Sequence, residues 1–229
     1  MIPILGRSLL FDTLFYVWGL LVITLAIPLF VLPRKATLYG FRFWAWSSMT
    51  LMRRVLGLRD TVHGTWPEGP FIVAAKHQSM WETIALITYV RFPSFILKRS
   101  LFYIPLVGNY LKKMGMLWVD RTATRNLPSL LSQAKTAVAE GRTVVIFPEG
   151  RRTALGEAPP LKSGVWYVAQ HLKVPVVPVR HNAGRFWPRR SWVKTAGTVD
   201  VHIGAPIDPA QHTRKSFMAA LHAALNDVA

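Results

Sequence analysis

The chain contains no cysteine, which excludes a disulfide-stapled scaffold, thiolate metal sites and a cysteine nucleophile. Acidic residues are scarce: 11 Asp and Glu stand against 28 Lys and Arg, a formal net charge of +17. The excess is even, with 13 basic and 4 acidic residues up to position 115 and 15 and 7 beyond it, so there is no detachable basic tail. The charge belongs to the folded surface, where it attracts polyanions of any kind. Gly-x-Ser-x-Gly is absent, and with it the serine nucleophile elbow. No Walker loop or dinucleotide fingerprint occurs, and the histidines at 63, 171, 181, 202, 212 and 222 lack zinc spacing. Charged residues make up only 17% against 51% hydrophobic, the reverse of a disordered composition. In 229 residues that apolar material must be buried in one domain of ordinary size, in lipid, or in both.

From Thr13 to Leu32 no residue is charged. As a helix this run would reach about 30 Å, the hydrocarbon thickness of a bilayer. It is longer than a signal-peptide core and ends in Leu32-Pro33-Arg34-Lys35 rather than a small-residue cleavage site, so it reads as a retained anchor. Asp12 falls at its edge, at the level of the lipid headgroups. Arg34, Lys35 and Arg42 follow the run while Arg7 and Asp12 precede it, which predicts the remainder on the cytoplasmic side. Pro28 and Pro33 equally allow a helical hairpin dipping into one leaflet. A second stretch, 41–58, interleaves Phe41, Phe43, Trp44, Trp46, Met49 and Met52 with Arg42, Arg53 and Arg54. That mixture suits a lipid interface, or a helix covering a soluble core. Residues 1–60 are therefore expected to be membrane-anchoring helices and 61–229 the soluble domain.

After Pro70, short β-branched runs alternate with helical ones, the pattern of an α/β domain with a mixed, largely parallel sheet flanked by helices. The periodicities predict strands near 71–75, 94–98, 116–120, 143–147, 175–180 and 199–204. Helices are predicted near 80–90, 105–114, 127–140, 162–172 and 215–227.

The strand Phe71–Ala75 runs into Lys76-His77-Gln78-Ser79-Met80-Trp81-Glu82, which sets His77 at a C-terminal strand edge, where α/β proteins place ligands. An imidazole there can serve as general base, and a carboxylate on its other nitrogen would fix the tautomer. Glu82 is the nearest carboxylate. Five residues apart on one continuous helix the two would diverge by about 140°, so they can meet only if His77 lies on the turn before the helix. Ser79-x-x-Glu82 also has the form of a capping box, in which Glu82 would only satisfy backbone amides. Seventy residues on, Thr143–Phe147 runs into Pro148-Glu149-Gly150-Arg151-Arg152, a second strand meeting a sharp turn. Guanidinium forks bind phosphate bidentately, and Gly150 lets the backbone approach closely.

His77 with Glu82, Gly115-Met116-Leu117-Trp118-Val119-Asp120-Arg121, Phe147-Pro148-Glu149-Gly150 and Val174-Pro175-Val176-Val177-Pro178 resemble, in order and spacing, the four motifs of the glycerolipid acyltransferases. The likeness is strongest to the 1-acylglycerol-3-phosphate acyltransferase family. It runs from about Thr61 to Pro206, and the membrane-seeking amino-terminal helices also look like that family's. Two positions depart from the pattern: Glu82 stands where aspartate is usual, and Arg151 replaces a threonine, while Arg152 keeps the arginine position. The resemblance implies transfer of a fatty acyl group from a coenzyme A or acyl-carrier-protein thioester to the sn-2 hydroxyl of lysophosphatidic acid, giving phosphatidic acid. His77 would take the hydroxyl proton, Glu82 would orient it, and no cofactor, metal or acyl-enzyme is implied. The acceptor's phosphate points to Arg152 and its neighbour Glu149, with Gly150 and Arg151 in the same turn and Lys98 and Arg121 at nearby strand ends. Lys162 is a further cation, and Pro175 and Pro178 would shape a strand.

The implied partners are the bilayer, a lysophospholipid acceptor, and acyl-CoA or an acidic acyl carrier protein, without nucleic acid. Another lysolipid, such as lyso-ornithine lipid, is an alternative acceptor that Arg151 leaves open. A noncatalytic module binding anionic lipid or nucleic acid is the alternative of another class. The stretch Arg180–Lys194 carries Arg180, Arg185, Arg189, Arg190 and Lys194 with Phe186, Trp187 and Trp192. Basic plus aromatic also describes single-strand nucleic-acid binding, but beside a membrane segment it reads as an interfacial patch.

Overall fold

A computed structural model describes residues 3–120 and 127–227. Helices α1 (Ile4–Leu25) and α2 (Arg34–Leu51) lead into an alternating body. Its elements are β1 (Leu58–His63), β2 (Ile72–Ala75), α3 (Trp81–Tyr89), β3 (Pro93–Lys98), α4 (Val107–Met114), β4 (Leu117–Val119) and α5 (Leu127–Ala139), then β5 (Thr143–Ile146), α6 (Gly164–Leu172), β6 (Val176–His181), β7 (Gly197–Ile203) and α7 (Arg214–Asn226). The seven strands form one sheet in the order β1-β7-β6-β2-β5-β3-β4. Every neighbouring pair is parallel except β6 with β7. The mixed, largely parallel sheet expected from the sequence is present, and all six expected strands and five expected body helices are found within a few residues.

The central strands are apolar throughout because both faces are covered. Val73 and Ala75 of β2 point into one core with Phe11, Met49, Trp81, Ile84, Phe95 and Tyr110, on the side of α1 to α4. Ile72 and Ala74 point into the other, with Leu130, Ala134, Val165, Phe217 and Leu221 of α5, α6 and α7. The period of two thus assigns alternate residues to opposite cores. Each large side chain fully withdrawn from water, such as Trp81 or Phe217, contributes about 1.5–3 kcal/mol.

The amino-terminal region differs from expectation in detail. The helix begins at Ile4 and ends at Leu25, seven residues before the apolar run does. Pro28 cannot donate to Thr24 and its ring crowds that carbonyl, so the chain passes into a short 3-10 turn, Ile27–Phe30. Asp12 has a partner within the protein: its carboxylate lies 2.7 Å from Nζ of the buried Lys194. One face of α1 is held along its length. Arg7 Nε donates to Val55 O at 3.0 Å, Trp18 Nε1 to Ser47 Oγ at 2.7 Å, and Tyr110 Oη to Ile23 O at 2.8 Å. The other face leaves Leu9, Leu10, Val17, Leu20, Leu21 and Leu25 exposed. Helix α1 is long and apolar enough to cross a membrane. In α2 one face covers the core, with Ala45, Ser48 and Met49 buried, while Tyr39, Phe43 and Trp46 on the other face are exposed. Strand β1 spans the boundary set at residue 60 and, among the described residues, pairs only with β7.

Candidate active site

Because β2, β5, β3 and β4 are parallel, the segments that follow them emerge along one edge of the sheet. Strand β2 ends at Ala75 and α3 begins at Trp81, so His77 occupies the intervening turn, as its meeting with Glu82 requires. Nδ1–H of His77 donates to Oε1 of Glu82 at 2.8 Å. That bond assigns the proton to Nδ1 and leaves the Nε2 lone pair without a hydrogen-bond partner among the described residues. A ring of that tautomer can accept a proton from a substrate hydroxyl.

Glu82 also performs the capping role. Its carboxylate accepts from the amides of Gln78 at 3.0 Å and Ser79 at 2.9 Å, while Ser79 Oγ accepts from Trp81 N at 3.1 Å. The catalytic and capping readings are therefore not exclusive: one buried carboxylate closes the helix start and orients the imidazole. Burial pushes its pKa up, but the hydrogen bond from His77, the nearby His181 and the Ser79 amide together hold it below the ordinary glutamate value.

The Phe147 to Thr153 segment encloses the histidine from the neighbouring strand. The Phe147 ring stacks on the His77 ring with centroids 4.1 Å apart and planes 16° apart. Glu149 Oε2 accepts from His77 N at 2.9 Å, and Thr153 N donates to His77 O at 2.7 Å. The Thr153 hydroxyl lies 3.2 Å from the same Glu149 oxygen. Gly150 has φ of 71°, a left-handed turn that glycine adopts without strain, and it folds the segment back over Lys162. Both main-chain polar groups of His77 are thus gripped by the turn that carries the arginines.

This arrangement reassigns some expected substrate contacts. Glu149, expected at the acceptor's phosphate, is buried with its carboxylate on the His77 main chain, where burial raises its pKa against the pull of the His77 amide and Lys76. Arg151 is paired with Glu157 on the same exposed loop. The Arg152 guanidinium has no hydrogen-bond or ion-pair partner among the described residues, while its carbonyl accepts from Arg189 at 2.6 Å. Lys98 is exposed at the end of β3, on the same sheet edge. Arg121 lies outside the described residues. Lys162 is held through its main chain, N to Pro148 O at 2.7 Å.

Three contributors were not singled out by sequence: Phe147 and Thr153 as a clamp, and His181. The last ends β6, which pairs with β2, and its ring is buried. Nε2–H donates to Lys76 O at 3.0 Å, Nδ1 accepts from Ala183 N at 3.2 Å, and Nε2 lies 3.9 Å from Glu82 Oε2. Burial lowers its pKa and favours the neutral ring. The available signal was its place at the end of a strand adjoining β2.

Replacing Glu149 with Ala should destabilise the protein by about 1–3 kcal/mol in denaturant unfolding, because the His77 amide and Thr153 hydroxyl lose a buried acceptor. An effect confined to acceptor affinity, with stability unchanged, would return Glu149 to the substrate.

Known proteins resemble this chain over most of its length. A family model described as Acyltransferase matches residues 59–182, just over half of the chain. The 1-acyl-sn-glycerol-3-phosphate acyltransferase of Pseudomonas aeruginosa is 36% identical over 204 residues, covering 86% of this chain and 76% of that protein. The 1-acyl-sn-glycerol-3-phosphate acyltransferase alpha of Homo sapiens is 26% identical, covering 83% and 69%. The crystal structure of the 1-acyl-sn-glycerophosphate (LPA) acyltransferase PlsC from Thermotoga maritima superposes with a TM-score of 0.74 at 25% identity, covering 94% of this chain and 93% of that one. These likenesses leave no place for a noncatalytic module. A histidine and carboxylate at the parallel sheet edge, the clamp around them and these relatives lead to one conclusion: the chain is an enzyme of the acyltransferase family.

Proposed function

We propose that the protein acylates the sn-2 hydroxyl of lysophosphatidic acid, using an acyl-CoA or acyl-carrier-protein thioester, at the cytoplasmic face of the cell inner membrane. His77 Nε2 takes the hydroxyl proton as the oxygen attacks the thioester carbonyl. The ester C–O bond forms, the C–S bond breaks, and the imidazolium returns its proton to the departing thiolate. Glu82, ionised and buried, stabilises the imidazolium in between. The hydroxyl attacks an activated thioester directly, and no residue is acylated.

The observation that supports this reading is the grip of the Phe147–Thr153 turn on the His77 main chain, because it ties the base to the backbone that carries Arg152, whose guanidinium has no partner among the described residues. A guanidinium carried on backbone tied to the base can hold a phosphate while the neighbouring hydroxyl is deprotonated. Arg151, the feature that left another lysolipid open, is engaged by Glu157, which favours Arg152 as the phosphate contact. The relatives named for 1-acyl-sn-glycerol-3-phosphate support the same acceptor. An apolar cleft of about 270 Å³ between α1, α2 and α4, lined by Val22, Ile23, Leu29, Phe41, Trp44 and Leu111 among others, offers volume for the acyl tail. Helix α1 is read as lying in one leaflet rather than crossing both: a transverse span would carry the Arg7, Trp18 and Tyr110 hydrogen bonds, and the body behind them, into hydrocarbon.

Replacing Arg152 with Ala should raise KM for lysophosphatidic acid about 10- to 100-fold, the value of a charge-assisted hydrogen bond, and alter kcat far less. Unchanged dependence on the acceptor's phosphate would move the phosphate site elsewhere.

A further inference from the structure

The basic, aromatic stretch Arg180–Lys194 is divided in two by the fold. Trp187 is 7% exposed, its ring edge-on to Phe11 and Phe15 of α1 at 5.5 and 6.4 Å. Lys194 is 4% exposed and bound to Asp12. These two residues are therefore internal, contrary to a wholly interfacial patch. What remains outside is a short projection in which Arg185, Pro188 and Arg190 are exposed, with Val193 at 40% and Trp192 at 73%, more than any other tryptophan.

We infer that this projection, Arg185–Val193, is a second membrane-docking element that seats the active-site turn at the headgroup level of an anionic leaflet. The inference rests on the reading of α1 as a one-leaflet anchor. Three observations carry it. The projection is fastened to α1, since Lys194 N donates to Ser8 Oγ at 2.9 Å and Ser8 Oγ donates to Lys194 O at 3.2 Å. Trp192 lies two residues from that bond and is exposed, as are Ile4 and Leu5 in the first turn of α1. It is fastened to the site as well, since Arg189 donates to Arg152 O at 2.6 Å. Finally, its tip is held in shape by bonds between Ser191 Oγ and the N and O of Val193, at 3.1 and 2.9 Å, so Trp192 is presented outward by a closed turn. An indole with an apolar body and one N–H is suited to the water–hydrocarbon boundary, and Arg185 and Arg190 beside it complement phosphate headgroups. A nucleic-acid strand would answer to the same charges but not to the exposed aliphatic side chains of Val193 and of α1.

The absence of cysteine makes the test direct. Single cysteines introduced as Trp192→Cys, Val17→Cys and Thr198→Cys in the full chain are labelled with a polarity-sensitive fluorophore. Each protein is then mixed with phosphatidylcholine vesicles with and without phosphatidylglycerol. The labels at 192 and 17 should brighten, shift to the blue and be quenched by nitroxide lipids, the one at 192 more strongly with phosphatidylglycerol, while the label at 198 stays unchanged. A response at 17 without one at 192 overturns the docking element and leaves the α1 anchor standing. Silence at both positions removes the anchor too. A response at 192 to single-stranded oligonucleotide in place of vesicles also overturns the inference.

Discussion

Replacing His77 with Ala should lower acyl transfer by about 10²- to 10⁴-fold at saturating substrates, the usual consequence of losing a general base. The fold should survive. The side chain contributes one hydrogen bond to Glu82 and a stack on Phe147, whereas the bonds that hold the turn, from His77 N to Glu149 and from Thr153 N to His77 O, belong to the main chain and persist in alanine. Glu82 would still accept the Gln78 and Ser79 amides. Steady-state kinetics beside a thermal melt separate the two effects. Near-normal turnover would mean that the hydroxyl is deprotonated by another group, or needs no base.

Glu82 is expected to show the second large effect, and its two roles can be separated by choice of substitution. Glu82→Ala removes the acceptor from His77 Nδ1–H and from two buried amides, each of which costs about 1–3 kcal/mol when left unpaired. Several kcal/mol is a large share of a domain's net stability, so poor folding is expected. Glu82→Gln retains one carbonyl oxygen for the amides but removes the charge that stabilises the imidazolium. It should yield a folded enzyme slowed by about 10²-fold or more. Full turnover in the glutamine variant would reduce Glu82 to a helix cap.

The same carboxylate predicts a pH dependence. Its folded pKa lies below the ordinary glutamate value, burial being outweighed by His77, His181 and the Ser79 amide. A depressed carboxylate contributes its stability in full above the unfolded value of about 4.3 and loses it as pH falls through the folded one. The stability difference between wild type and Glu82→Gln should therefore shrink on acidification below the ordinary glutamate range.

The body's fold was legible because its central strands are unbroken apolar runs and its helices have clear 3.6-residue faces. Strand β1, Leu-Arg-Asp-Thr-Val-His, escaped notice because an edge strand buries little: only Leu58 is fully enclosed. The uncharged run overstates the extent of α1 because it continues past the helix end imposed by proline. Pro28 ends the helix, and the Lys194 partner that keeps Asp12 from being a misplaced charge lies 182 residues away. Within the site, His77 and Glu82 were legible from local spacing. The function of Glu149 was not, since its partner is the main chain of a residue on another strand, and main-chain contacts leave no residue-type signature. His181 was passed over for a related reason: its importance comes from sheet order, which places β6 beside β2.

The central claim is that His77 removes a proton from a lysolipid hydroxyl whose phosphate is held beside it. The most direct measurement offers the purified protein a labelled acyl thioester with a panel of lysolipids and identifies the products by mass spectrometry, with His77→Ala in parallel. The account predicts phosphatidic acid from lysophosphatidic acid, little or no product from lysolipids without a terminal phosphate, and near-complete loss in the variant. Acylation of a phosphate-free acceptor as the main product, or undiminished product from His77→Ala, would contradict it.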